Sequence, residues 1–157
     1  MQTPSVFERT VQKTHDWLKE LSEIGGFTSE TQAYTALRAV LHALRDRLLP
    51  DEAVDLSAEL PMLVRGFYFE GWRPNLHTDR ERTLDEFIDH VRRELHNARF
   101  TVDAEAACRA VFALLSRRIS AGEIRDVRAE LPAVLQPLWP ASPASDVRRP
   151  DRYQGSV

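Results

Sequence analysis

The sequence predicts an all-α protein, two tandem three-helix repeats packed as one bundle-like helical globule. Three observations predict it. Apolar residues recur at helical spacing in one stretch after another, and most stretches are opened by a residue type that caps helices. The middle of the chain also overlays itself when shifted by 71 residues. Few runs alternate as half-buried strands would.

The elements follow in order. Ser5 with Glu8 has the pattern of a capping box, and Val6, Phe7, Val11, Thr14, Leu18 and Leu21 then share one helical face. Gly25-Gly26 ends this helix, since glycine takes the left-handed cap conformation without a Cβ clash. Ser29 and Gln32 open a second helix carrying Tyr34, Leu37, Val40, Leu41 and Leu44. Pro50, followed by Asp51 and Glu52, suits the first turn of a third, where proline loses no bond and carboxylates favour the dipole. Pro61 interrupts that pattern and predicts a kink or a restart before GFYFEGW. Thr83 and Glu86 open a fourth helix with Leu84, Phe87, Ile88, Val91 and Leu95 inward, and a fifth runs from about Val102 to Arg118. Ser120 and Glu123 open a sixth, which meets Pro132 as the third met Pro61.

The string AELP occurs at Ala58–Pro61 and at Ala129–Pro132. It belongs to a longer match, in which AYTALRAVLHALRDRLLPDEAVDLSAELP lies over AEAACRAVFALLSRRISAGEIRDVRAELP without a gap, identical at about 13 of 29 positions. At a different offset the helix of Phe7, Val11 and Leu18 overlies that of Leu84, Ile88 and Leu95. The expected organisation is a first repeat over 1–72, a polar linker over 73–82, a second repeat over 83–139 and a disordered Pro- and Ser-rich tail over 140–157. Within each repeat, Glu59 or Glu130 is expected to face Arg47 or Arg118 and latch the second helix to the third.

Composition excludes several classes. A chain of 157 residues with 43% apolar and 29% charged residues has an ordinary globular balance. It has no apolar stretch long enough to span a membrane and no secretory pattern in MQTPSVFERT. Its single cysteine, Cys108, rules out an internal disulfide framework, so a cytoplasmic location is expected. The net charge of −3 and the acidic helix DEAVDLSAEL, which would repel phosphate, argue against nucleic-acid binding.

Cys108 lies among Ala104, Ala107 and Val111 and reads as a small buried hydrophobe rather than a nucleophile. Glu86, His90 and Glu94 stand one turn apart on one helix, which reads first as a solvated charged ladder and second as a metal site. The Glu-x-x-His pairs of di-iron bundles are absent, and His15, His42 and His77 show no metal-ligand spacing. Phe67, Tyr68, Phe69 and Trp72, flanked by Arg65 and Arg73, cannot all point one way from a helix. They form either the joint between repeats or a protein-binding surface.

The run ALRAVLHALRDRLLPDEAVDLSAELPMLVRGFYFEGW resembles a bacterial domain-of-unknown-function family, numbered 2267, as does the opening TVQKTHDWLKEL. The resemblance covers roughly Val6 to Trp139 and rests on His42–Arg47, Glu59–Leu60–Pro61, Arg65–Gly66 and Gly71–Trp72. The family often has glutamine where Glu59 stands. The resemblance implies a small helical cytoplasmic protein and supplies no catalytic residues.

The expected function is therefore a non-enzymatic interaction or structural module, with no cofactor, whose partner is another protein or a second copy of itself. Phe67, Tyr68, Phe69, Trp72 and Arg65 would make the contact, supported by Arg45, Arg47 and Glu59. The alternative is a metal- or small-ligand-binding helical protein using Glu86, His90 and Glu94, or a pocket at the repeat joint.

Overall fold

A computed structural model describes residues 2–76, 82–96, 98 and 101–141. The regular elements among them are helical: α1 (Ser5–Gly25), α2 (Glu30–Arg47), α3 (Pro50–Ser57), α4 (Met62–Phe69), α5 (Leu84–Glu94), α6 (Ala104–Arg118) and α7 (Ala121–Glu130). Two short 3-10 turns, Pro74–Leu76 and Ala133–Leu138, complete the set. Residues 77–81 of the expected linker and 142–157 of the expected tail lie outside the described residues.

Local sequence explains where the helices begin and end. The side chains of Ser29, Thr83, Asp103 and Ser120 each accept a hydrogen bond from the backbone N–H three residues on, which satisfies a donor the helix leaves free. Pro50 sits in the first turn of α3, and Pro61 separates α3 from α4, since a proline cannot donate to a continuing ladder. Gly26 ends α1 with φ of 69°, a conformation that costs other residues about 1 kcal/mol or more.

The first cap departs from expectation. No side chain caps α1, whose N-cap is Pro4, so Ser5 and Glu8 form no capping box. The inner face of α1 is also shifted. Its buried residues are Thr14, Trp17, Leu18 and Leu21, while Phe7 and Val11 point outward.

Helices α2 and α6 pack against each other at the centre; α1 and α5 each pack on both, α4 crosses α1 and α2, and α3 lies against α7. The core is one apolar cluster, built from Leu37, Val40, Leu41 and Leu44 of α2 and from Val111, Phe112, Leu114 and Leu115 of α6. Trp17 and Leu21 close it on one side, Phe87 and Val91 on the other. Each such side chain, removed from water, contributes about 1.5–3 kcal/mol before entropy is charged against it. Trp139 stacks on Phe112 with ring centroids 4.1 Å apart, and the Arg128 guanidinium covers its ring. Cys108 is fully buried in this core, and burial pushes its thiol up to about 12, which keeps it neutral.

Candidate functional site

Three places bring polar groups together. The first is the contact of α3 with α7. Glu59, directly after α3, accepts hydrogen bonds from the backbone N–H of Ser120 (2.8 Å) and from its hydroxyl (3.0 Å) at the start of α7. Glu130, at the end of α7, accepts one from the N–H of Leu49 (2.8 Å) at the start of α3. Glu59 and Glu130, like Leu49 and Ser120, stand 71 residues apart, so the two AELP strings hold each other's neighbouring helix. The expected latch within each repeat is thereby corrected. Glu59 reaches the other half of the chain, and Arg118 instead pairs with Glu20 of α1 at 2.8 Å. A free helix N-terminus attracts a carboxylate more specifically than a mobile arginine does, because its N–H groups and dipole are fixed in place.

Between these caps the carboxylates of Glu52 and Glu123, again 71 apart, lie within 4.8 Å of each other and of Asp126. One oxygen of each is shielded from water and has no donor. Burial, and then the neighbouring Glu52, Glu59 and Asp55 carboxylates, raise the Glu123 carboxyl to about 8. A carboxyl proton held on Glu123 can be donated to Glu52.

The second place is the aromatic segment. Phe67 and Tyr68 are buried, and the Tyr68 hydroxyl donates to the Ala53 carbonyl at 2.7 Å. Phe69 and Trp72 are partly buried against the core, their ring centroids 5.1 Å apart. Arg65 turns inward, donating to the carbonyls of Ser57 (2.9 Å) and Leu60 (3.2 Å) in the α3–α4 turn. Arg45 is buried and donates to the carbonyls of Tyr68 (2.6 Å) and Glu70 (2.7 Å) at the end of α4. Arg47 is half-buried at the end of α2. Phe67, Tyr68, Arg45 and Arg65 thus fasten α4 to the body, as a joint would, while Phe69 and Trp72 stay partly exposed. The burial of Phe67 and Tyr68 follows from α4 crossing two helices.

The third place joins α2 to α5. His42 and Asp46 stand one turn apart on α2, His90 and Glu94 one turn apart on α5. His42 Nε2 lies 2.6 Å from the Phe67 carbonyl, and its Nδ1 lies 3.3 Å from Glu94 Oε2. Arg45 Nε donates to Asp46 Oδ1 at 3.0 Å. His90 Nε2 faces Asp46 Oδ2 at 3.5 Å and Glu94 Oε1 at 3.9 Å. Burial works to raise Asp46, but hydrogen bonds from His90 and Arg45 outweigh it and hold the carboxyl below its usual range. Glu94 is lowered by its hydrogen bond with His42, against its own burial.

The sequence-derived set Glu86, His90, Glu94 is therefore split. His90 and Glu94 meet, whereas Glu86 is exposed and engaged in the Thr83 cap. Asp46 takes its place, and His90 is buried rather than solvated. The residues missed were His42 and Asp46. Their one-turn spacing matches that of His90 and Glu94, and reading the two pairs together would have found them.

The model of a family described as "Uncharacterized conserved protein (DUF2267)" matches residues 14–138, and the chain belongs to that family. No curated protein matches the chain.

Proposed function

For this member of the DUF2267 family we propose a non-enzymatic helical interaction module that associates with a second copy of itself through the outer face of α1 and α4. One observation carries the reading. Phe7 and Val11 on α1 and Met62 and Leu63 on α4 are 51%, 44%, 51% and 43% exposed, and the two helices meet where the Leu63 N–H donates to Thr10 Oγ1 at 2.9 Å. Single exposed apolar side chains are ordinary, whereas four in one place are typical of a contact surface.

A second copy is the partner proposed, since a two-fold contact sets this apolar face against its own equal. The aromatic segment and the arginines then act behind the surface. Arg45, Arg65, Phe67 and Tyr68 hold α4 so that Met62 and Leu63 face outward. No helix among the described residues is long and apolar enough to cross a membrane. The reading includes a cytoplasmic setting and partners other than nucleic acid, in keeping with one buried cysteine and a net charge of −3.

The test is native mass spectrometry and sedimentation of the untagged full chain across a concentration series. The expected result is a multiple of the chain mass for the native protein, and a monomer with unchanged helical circular dichroism for Met62→Glu/Leu63→Glu. A monomer at every concentration up to the solubility limit would overturn the proposal. So would association that persists in the double variant.

A further inference from the structure

We propose that His90 Nε2, Asp46 Oδ2 and Glu94 Oε1 form a binding site for one divalent transition-metal ion between α2 and α5, with further coordination positions open to water. These three residues have ligand atoms within 4.8 Å of one another. His90 Nε2 stands 3.5 Å from Asp46 Oδ2 and 3.9 Å from Glu94 Oε1. Neighbouring ligand atoms around a tetrahedral ion, each about 2.0–2.1 Å from it, stand about 3.3 Å apart, so small side-chain shifts would close the three on one ion in place of the hydrogen bond from His90 to Asp46.

Each carboxylate is divided in its task. Asp46 gives Oδ1 to Arg45 and turns Oδ2 toward His90, while Glu94 gives Oε2 to His42 and turns Oε1 toward His90. The supporting residues are themselves fixed. His42 Nε2 donates to the Phe67 carbonyl at 2.6 Å, which only accepts, and Arg45 is clamped on the carbonyls of Tyr68 and Glu70. Such outer partners orient first ligands in metal sites, and here they are positioning residues. The Asp46 and Glu94 side chains remain about a quarter exposed, which leaves a path for the ion and its waters.

The helix contact does not need this chemistry to pack. Seventy-one residues beyond His42 and Asp46 stand Ala113 and Arg117 of α6. The corresponding contact of α6 with α1 carries an ordinary ion pair instead, with Arg117 and Arg118 on Glu20. Burying imidazoles between helices is costly when apolar residues would serve, so the two buried histidines at the α2–α5 contact point to a ligand. One imidazole and two carboxylates suit manganese, iron(II) or zinc rather than copper(I), which takes sulfur.

The untagged full chain, stripped with a chelator, would be titrated with zinc and with manganese by calorimetry and native mass spectrometry. One ion per chain and a raised Tm are expected. Asp46→Asn and His90→Asn should each weaken binding at least tenfold, His42→Gln should weaken it less, and Glu86→Ala should leave it unchanged. Because a buried substitution could unfold the chain, a second measurement uses the native sequence alone. Substoichiometric manganese should broaden the His90 ring resonances before those of His15, which forms an exposed pair with Glu30. No stoichiometric ion, binding retained in His90→Asn and Asp46→Asn, or His15 broadened first would overturn the proposal.

Discussion

The Glu52–Glu123 pair gives the sharpest handle on stability. A carboxyl whose folded pKa is raised stabilises the fold fully below its unfolded pKa of about 4.3, and that stabilisation is lost as pH rises through the folded value. For Glu123 the raised value is about 8 against the usual 4.5, so the loss falls between mildly acidic and mildly alkaline pH. In a fully buried site the difference would amount to about 5 kcal/mol. Much of Glu123 remains open to water, and solvent screening brings the expected effect to about 1 kcal/mol. Glu123→Gln removes the titration, and its amide N–H donates to the shielded Glu52 oxygen. In a chain of this size about 1 kcal/mol moves Tm by about 2–4 °C. Thermal melts of both proteins should therefore coincide near about pH 5 and separate by about 2–4 °C in favour of Glu123→Gln near about pH 9. The same difference at both ends of the range would refute the raised Glu123 carboxyl.

Other expectations concern the fastenings of the fold. Tyr68→Phe removes the buried bond to the Ala53 carbonyl and should cost about 1–2 kcal/mol, read as a lower denaturation midpoint at an unchanged m-value. Glu59→Ala and Glu130→Ala should each cost about 1 kcal/mol, since each strips an N-terminal N–H of its acceptor. Glu59→Gln should lose much less, because a glutamine oxygen accepts the same bond. Equal losses for alanine and glutamine at position 59 would show that the charge, not the acceptor, matters. Cys108 should resist a thiol reagent in the native state and label only at the rate of global unfolding. Rapid labelling of folded protein would contradict its burial.

Helix identity was legible in the sequence because its causes are local. Ser29, Thr83 and Ser120 cap their own helices, and Pro50 and Pro61 set boundaries through their own ring geometry. The apolar faces of α2 and α6 follow from spacing alone. The 71-residue match was legible too, as were the burial of Cys108 and the family to which the chain belongs. Two local readings failed at the start of α1. The Ser5–Glu8 pattern went unused, and Phe7 and Val11, inward by periodicity, face solvent. Periodicity states which residues share a face, but only packing partners decide how far along the helix that face is covered.

The tertiary structure decided everything that depends on which helix lies beside which. The sequence showed Glu59 and Glu130 in equivalent places, and the packing of α3 on α7 sent each to the opposite helix. It showed four clustered aromatics, and the crossing of α4 over α1 and α2 turned Phe67 and Tyr68 inward while leaving Met62 and Leu63 outside. It showed His90 and Glu94 on one helix, and only the approach of α5 to α2 supplied Asp46 and His42 in place of Glu86. Helix formation is a property of a few successive residues, whereas a site made across helices depends on distances between side chains remote in the chain, which no local pattern encodes.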